Sequence, residues 1–193
     1  MGRSSTPIVE PVPRPPSLQI PGAAYHITAR AVYGRPLFPE ARDCDDFLTL
    51  LGKVVYQRDW VCGAYCLMTT HYHLVIRTPE ADLARGIQSL NACYAQQFNR
   101  RHGLEGHVFL RRYQSVMIER EAHLLELGRY LPTNPVRAGL CARAEDWPWS
   151  SYAALLGLCA PPAFLSSGWL LGLFGRDRQS AARRLRAFVE DVS

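Results

Sequence analysis

Two histidines with close spacing are the first residues of this sequence that could do chemistry. His71 and His73 are separated by one residue within the apolar run HYHLVIRT. Because successive side chains of a strand point to opposite faces, both imidazoles leave the same face if this run is a strand. Neutral imidazole binds metal ions at physiological pH, but two histidines need a further ligand from another element. Taken alone, the pair is equally well explained as structural.

Tyr130 and Asn134 supply a second half to this pattern. They are four residues apart around the segment EAHLLELGRYLPTN, so they share one face of a helix if the helix extends that far. Of the nine tyrosines, Tyr130 alone has a potential oxygen ligand at this offset on a predicted helix. Tyr94, for comparison, is followed at that offset by Phe98, which is typical of a core stripe. A nucleophile and a metal ligand on one helix face would approach the same ion.

A tyrosine beside a metal suits the cleavage and rejoining of a phosphodiester. A phenolate that attacks phosphorus stays attached as a phosphotyrosine, which a later hydroxyl can reverse. Free tyrosine ionises near a pKa of about 10, so a cation beside the phosphate is needed to neutralise its oxygens and favour the attack. Two histidines and an amide oxygen leave positions around Mg²⁺ or Mn²⁺ for substrate and water.

Pro132 lies between the predicted nucleophile and the predicted third ligand. Proline inside a helix removes a hydrogen bond and presses on the carbonyl four residues earlier, here that of Gly128. Glycine leaves local room, so we expect a kink or a helix end near Pro132 with the site preserved. Tyr72, between the two histidines, is expected to point into the opposite layer, where its hydroxyl needs a partner.

The elements that must position these residues follow an order that predicts a fold class. Four segments have strand patterns: AYHITARAV, VCGAYCLM, HYHLVIRT and HVFLRRYQSVMI. Three segments have helical spacing: the stretch after Asp43, the stretch from Leu83 to Phe98, and EAHLLELGRYL. The order strand, helix, strand, strand, helix, strand, helix predicts an α+β fold of the ferredoxin-like, split βαβ type, an antiparallel sheet with packed helices.

The chain divides into three predicted parts. Residues 1–22 contain six of the 14 prolines and are expected to form an extended tail. Residues 23–157 form the predicted domain, and residues 158–193 a C-terminal helical extension. No apolar stretch has the length of a membrane helix, and the N-terminus lacks the apolar centre of a signal peptide. We therefore expect a soluble, cytoplasmic protein.

The positive charge of the chain comes almost entirely from arginine. The net charge is +5, with a pI near 9.0, and Lys53 is the one lysine. Arginine's planar fork suits phosphate, which makes this balance weak support for a nucleic-acid partner. Four arginines near the predicted site elements are candidate DNA contacts, although an arginine in such a place is more often a solvated surface charge: Arg111, Arg112, Arg129 and Arg137.

Several residues near this pattern are expected to have structural roles. His26 on the first strand is predicted to be a core histidine, and Glu126 to be exposed to solvent. Cys62 and Cys66 are expected on one face of a strand as buried free thiols rather than zinc ligands. Trp147, Trp149 and their neighbours are predicted to anchor the C-terminal helices rather than stack on bases.

TTHYHLVI resembles the histidine-hydrophobic-histidine (HUH) motif of single-tyrosine transposases. RYLPTNPVRAGL resembles the tyrosine helix of the REP-associated tyrosine transposases, and PGAAYHITARAV, GHVFLRRYQSVMIE and EDWPWSSYAALLG are also similar to that family. The resemblance covers roughly residues 21 to 157. It implies the HUH endonuclease fold, with His71, His73 and Asn134 as metal ligands and Tyr130 as the residue that links covalently to the DNA 5′ end.

The resemblance implies a metal-dependent enzyme that cleaves and rejoins single-stranded DNA at a hairpin or repeat. Two alternatives stay open: a domesticated DNA-binding protein that no longer cleaves, and a metal-dependent phosphodiesterase that uses activated water. Covalent attachment of DNA to the protein would distinguish the enzyme that cleaves and rejoins DNA from the phosphodiesterase that uses activated water. The sequence leaves open the DNA target and whether the protein is a monomer or a homodimer.

Overall fold

The computed structural model describes residues 19–191, so most of the predicted tail over residues 1–22 lies outside the described residues. Four strands form one sheet: β1 (Ala24–Arg30), β2 (Val61–Met68), β3 (His71–Arg77) and β4 (Gln114–Met117). Their order across the sheet is β2-β3-β1-β4, and every neighbouring pair is antiparallel. The described helices are α1 (Ala41–Gln57), α2 (Leu83–His102), α3 (Glu121–Arg137), α4 (Tyr152–Leu155), α5 (Ser167–Leu171) and α6 (Arg178–Glu190), besides a 3₁₀ turn at Ala144–Asp146. The predicted α+β fold is confirmed.

Helices α1 and α2 cover one face of the sheet. The apolar residues of β1 at alternate positions, together with Tyr72 of β3, point into this layer and are almost fully buried. Tyr72 donates a hydrogen bond from its hydroxyl to Oδ1 of Asn91 on α2, at 2.8 Å, which supplies the partner that a buried phenol needs. Every second side chain of β3 is packed in this core, so the side chains between them point to the opposite face of the sheet.

The opposite face of the sheet carries α3 and the C-terminal helices. A second buried cluster joins β2, β3, α3, α5 and α6. Gly63 of β2 shows how closely α5 approaches the sheet, because a Cβ there would lie 2.5 Å from Cε3 of Trp169. The guanidinium of Arg77 lies 5.2 Å from the centroid of the same indole. The C-terminal helices are therefore packed against the layer that contains α3.

A β-bulge in β2 makes one strand expectation wrong. The register of β2 against β3 shifts between Cys62 and Ala64. Cys62 belongs to the core under α1 and α2, whereas Cys66 belongs to the core under α3. The two thiols therefore face opposite layers, because the extra residue of a bulge reverses the alternation. Both cysteines are buried and free.

The segment after the 3₁₀ turn covers the outer edge of β2. The amide of Leu67 donates to the carbonyl of Trp149 at 2.8 Å, and the Ser151 amide donates to the carbonyl of Tyr65 at 3.0 Å. The indole Nε1 of Trp147 donates to the Leu67 carbonyl at 2.8 Å. These bonds agree with the prediction that the tryptophans anchor the C-terminal part, and they protect an edge strand from pairing with another chain.

The fourth strand is shorter than predicted. HVFLRRYQSVMI was expected to be one strand, but β4 includes only Gln114–Met117. The preceding residues leave the regular ladder and contact the loop after β1: the Val32 amide donates to the carbonyl of Val108, and the Leu110 amide to that of Arg30. Arg111 and Arg112 therefore lie in a bend rather than on a strand.

Helix α3 does not end at Pro132. It continues to Arg137 and includes Pro135 as well, so Tyr130 and Asn134 lie on one continuous helix. Gly128, the residue whose carbonyl faces the Pro132 ring, is buried and carries no side chain to add to the crowding. The hydroxyl of Thr133 donates to the carbonyls of Arg129 and Tyr130 at 2.9 and 3.1 Å, which supplies a side-chain donor to backbone carbonyls near the proline.

The predicted domain limits at residues 22 and 157 stay predictions. At the start of the described chain, the side-chain Oε1 of Gln19 accepts from the Ala84 amide at the beginning of α2, at 2.7 Å. The Gly22 amide donates to the carbonyl of Thr78 at 2.7 Å. Within residues 19–191, no helix combines the length and apolar character needed to cross a bilayer.

Candidate active site

The two histidines of β3 leave the sheet on the α3 side, as predicted. His71 and His73 alternate with Tyr72, which points to the other layer. Their ring centroids are 4.9 Å apart. His73 is 4% exposed, and His71 is half-buried. The strand register places Thr28 of β1 directly opposite His73 and Arg30 opposite His71.

The two ring nitrogens of His73 have different surroundings. Nδ1 lies 3.0 Å from Nε2 of His26 and 3.2 Å from Oγ1 of Thr28. Nε2 is buried and has no hydrogen-bond partner among the described residues. Since a buried polar atom normally finds a partner, Nε2 is the atom of this ring that a ligand from outside the protein could use.

His26, which was expected to be a core histidine, is half-buried and lies against the candidate site. Its imidazole stacks on that of His73, with centroids 5.2 Å apart and an interplanar angle of 21°. Tyr130 meets the His26 ring edge-on at 6.3 Å. The sequence held one signal for this placement: His26 alternates with Tyr25 and Ile27, which point to the opposite core.

Helix α3 places the predicted nucleophile against the histidine pair. The ring of Tyr130 lies 5.5 Å from that of His73 in an edge-to-face arrangement, and the residue is 38% exposed. Asn134 follows one helical turn later on the same face. Its amide nitrogen is buried and has no hydrogen-bond partner among the described residues. An exposed phenol and an unpaired buried amide therefore lie on the helix face that carries the contact with His73.

Burial holds all three histidines in their neutral form near pH 7. Desolvation, with smaller contributions from His26, His71 and Arg30, lowers the pKa of His73 to about 3. Desolvation and the nearby Arg30 lower the pKa of His71 to about 4. Desolvation and then His123 lower the pKa of His26 to about 4. A neutral imidazole keeps the lone pair that a metal ligand needs.

The four candidate arginines do not form one group. Arg111 and Arg112 are exposed in the bend before β4, and Arg137 is exposed in the last turn of α3. Arg129 points to α6 instead: its Nε donates to the carbonyl of Phe188 at 3.0 Å, and its guanidinium lies 4.1 Å from that ring. The structure therefore gives Arg129 a packing role and leaves the other three in reach of solvent.

Arg30 lies beside the candidate site, although nothing in the sequence pattern singled it out. It is exposed, ends β1 opposite His71, and is close enough to act electrostatically on both His71 and His73. Its carbonyl accepts from the Leu110 amide, one residue before Arg111, so the bend with Arg111 and Arg112 adjoins this end of β1. Within residues 19–191 its guanidinium forms no ion pair.

The donor set suits a divalent metal only if Asn134 takes part. No group of three or more histidine, cysteine, aspartate or glutamate side chains in residues 19–191 is arranged to hold an ion. Glu126, one turn before Tyr130, is exposed as expected. The unpaired Nε2 of His73, a second neutral imidazole and a buried amide fit an ion that takes its remaining ligands from substrate and water.

Two known proteins are similar to this chain. A protein of Haemophilus influenzae that carries the provisional name of a REP-associated tyrosine transposase is 29% identical over 100 residues. That match covers 46% of this chain, which spans a little over half (57%) of the relative's length. A solved structure of a REP-associated tyrosine transposase bound to a REP hairpin covers 80% of this chain and 92% of its own, with a TM-score of 0.64 and 18% identity. The second match establishes the likeness of fold.

The family match includes the predicted nucleophile and all three predicted metal ligands. The match to the family described as "Transposase IS200 like" extends over residues 19–134, which is more than half of the 193-residue chain. It begins before β1, contains the histidine pair and Tyr130, and ends on Asn134. The chain belongs to the IS200-like transposase family.

Proposed function

We propose that this protein cleaves and rejoins single-stranded DNA through a covalent 5′-phosphotyrosine on Tyr130, in a metal-dependent reaction. The observation that carries the proposal is the contact of the exposed Tyr130 ring with His73, whose buried Nε2 is unpaired. Family membership agrees with this chemistry. The relative solved with a REP hairpin suggests hairpin or repeat DNA as the partner of this chain as well.

His71, His73 and Asn134 are the proposed ligands of Mg²⁺ or Mn²⁺. His73 would bind the ion through Nε2, and Asn134 would bind it through the side-chain amide oxygen. The Nδ2 of Asn134, which has no acceptor among the described residues, could then donate to a phosphate oxygen. A bound divalent ion would neutralise the non-bridging oxygens of the scissile phosphate. The neutral state of both imidazoles leaves their lone pairs available for this role.

Tyr130 supplies the nucleophile in this scheme. Its Oη forms a bond to phosphorus while the bond from phosphorus to the 3′ oxygen breaks in line with it. The phenol gives up its proton, and the departing 3′ oxygen takes one up to become a hydroxyl. A second 3′ hydroxyl reverses these steps, which regenerates Tyr130 and joins a new strand. The phosphodiester bond energy is kept in the enzyme–DNA link throughout.

The test is whether DNA becomes covalently attached, and to which form of DNA. We expect an adduct on a denaturing gel when the protein is incubated with Mg²⁺ and single-stranded or hairpin-flanking DNA from beside its own gene. The same sequence as a perfect duplex should stay intact, because a single strand bends into the cleft at little cost and a duplex phosphate is held in a regular helix. Cleavage without any adduct would favour a water-activating phosphodiesterase. Binding without cleavage would favour a domesticated DNA-binding protein.

We further propose that Arg30, Arg111 and Arg112 form a basic rim that binds phosphates of the strand entering the site. All three are exposed, and the amide of Leu110 bonded to the Arg30 carbonyl brings the two segments together. Arg137, exposed in the last turn of α3, is a further candidate contact. Arg129 is not included because its guanidinium already donates to the Phe188 carbonyl and packs over the Phe188 ring.

Arg30→Gln is expected to weaken DNA binding and to strengthen metal binding. Loss of one phosphate contact should lower the slope of log affinity against log salt by roughly 0.7 for single strands. Mn²⁺ affinity without DNA should rise, because a cation beside the histidine pair repels a second cation. Arg85→Gln on α2, exposed behind the opposite face, is the matched control. Equal salt slopes for the two variants would remove Arg30 from the rim.

A further inference from the structure

His26 is close to the proposed metal site yet is not placed to be one of its ligands. Its Nε2 lies 3.0 Å from Nδ1 of His73, on the far side of that ring from the unpaired Nε2. A metal ion on Nε2 of His73 would therefore have the whole His73 imidazole between itself and the nearest nitrogen of His26. Direct ligation through His26 Nε2 is inconsistent with this arrangement.

The surroundings of His73 favour one tautomer of its ring. A neutral imidazole carries one proton, on either Nδ1 or Nε2. A proton on Nδ1 has two acceptors in reach, His26 Nε2 and Thr28 Oγ1, at 3.0 and 3.2 Å. A proton on Nε2 would be buried without an acceptor among the described residues. The first tautomer leaves the Nε2 lone pair free for a metal.

His26 also restricts the orientation of the His73 ring. The two imidazoles stack at 5.2 Å, and Tyr130 packs edge-on against both. On the β4 side, His26 faces Val116 in the strand register, and from α3 it is affected by His123. Thr28 can also form a hydrogen bond with Nδ1, but its hydroxyl can either donate or accept that bond and provides no ring to stack.

We propose that His26 is a positioning residue, which accepts a hydrogen bond from Nδ1 of His73 and thereby presents Nε2 of His73 to the metal. Metal-bound histidines commonly donate their second nitrogen to an outer partner, and loss of such a partner typically costs 10- to 100-fold in metal affinity or activity. The proposal rests on the proposed function, since it concerns the same metal site. It adds a histidine outside the HUH motif to the residues on which that site depends.

The first measurement uses the whole protein without metal or DNA. Long-range proton–nitrogen NMR at neutral pH reports which nitrogen of each imidazole carries the proton. We expect His73 protonated on Nδ1 in the wild type, and a mixture with the Nε2-protonated form in His26→Ala. A wild-type His73 protonated on Nε2 overturns the proposal, whatever the variants do.

The second measurement is Mn²⁺ binding by calorimetry in the absence of DNA. We expect His26→Ala to bind Mn²⁺ about 10- to 100-fold more weakly than the wild type. His26→Gln should recover most of this loss, because its amide oxygen can accept from Nδ1. His123→Ala, which alters the neighbour of His26 on α3, should bind Mn²⁺ like the wild type. Thermal unfolding of each variant checks that the fold is intact.

Two results of the binding experiment overturn the proposal. Unchanged Mn²⁺ affinity in a folded His26→Ala protein would mean that His26 does not position His73. Loss in His26→Gln equal to that in His26→Ala, with the tautomer of His73 unchanged, would make His26 a direct ligand. If the tautomer and affinity results hold but no DNA adduct forms, the positioning role stands and the proposed strand-transfer function fails.

Discussion

Replacing Tyr130 with phenylalanine is expected to abolish the covalent protein–DNA adduct while leaving DNA binding unchanged. The substitution removes one oxygen from a ring that is 38% exposed. Within residues 19–191 that hydroxyl makes no side-chain hydrogen bond, so little stability is lost with it. The ring itself, with its edge contact to His73, is kept. A denaturing gel and a binding titration on the same single-stranded DNA measure the two effects separately.

The matched control is Tyr56→Phe, which removes a phenol that is 86% exposed on α1. It should form adducts at the wild-type rate, because α1 covers the other face of the sheet. Persistent adduct formation in Tyr130→Phe would assign the attack to another tyrosine. Tyr113, which packs against the core on the α1 side, and the buried Tyr94 would then be tested next.

The hairpin that carries the histidines was predictable from sequence because its signal is local. Two apolar runs separated by Thr69 and Thr70 gave β2 and β3 with nearly the observed bounds. Alternation along β3 then fixed which side chains share a face. The same holds for α2, where apolar residues step by three and four from Leu83 to Phe98 and Gly103 follows in the left-handed conformation.

Features that depend on pairing between strands were not predictable in the same way. The bulge at Cys62 and Ala64 inserts one residue without any change in composition that marks it. The run HVFLRRYQSVMI alternates well enough for a strand, but only its last part pairs regularly with β1. Pattern alone does not say how much of an edge strand finds a partner.

The composition of the site beyond the HUH motif depends on sheet order. His26 and Arg30 alternate with core residues of β1, but their closeness to His73 and His71 follows from β1 lying next to β3. Arg129 is the opposite case: it is next to Tyr130 in the sequence, but its side chain points away from the site to Phe188 on α6. Successive side chains of a helix point about 100° apart around its axis, so two residues adjacent in sequence seldom contact the same bound molecule.

Replacing His71 or His73, the two histidines proposed as metal ligands, with alanine is expected to abolish cleavage. It should also weaken Mn²⁺ binding by tenfold or more, since losing even an outer partner of a metal-bound histidine typically costs about 10- to 100-fold. His73→Ala should have the larger effect, because its Nε2 is the buried, unpaired nitrogen, whereas Nδ1 of His71 contacts Thr70 and its ring is half-buried. Calorimetry with Mn²⁺ and adduct formation on single-stranded DNA are the measurements. His107→Ala, an exposed histidine before β4, is the control and should leave both unchanged.

Asn134→Ala should act in the same direction as the histidine variants but without a loss of thermal stability. Its buried Nδ2 has no hydrogen-bond partner among the described residues, so truncation to alanine removes an unsatisfied polar group rather than an interaction. Weaker Mn²⁺ binding together with an unchanged or higher melting temperature would identify Asn134 as a ligand held in place for the metal.

Unchanged Mn²⁺ affinity in His71→Ala and His73→Ala would mean that the metal binds elsewhere. Unchanged affinity in Asn134→Ala alone would leave the histidine pair in place and require another third ligand.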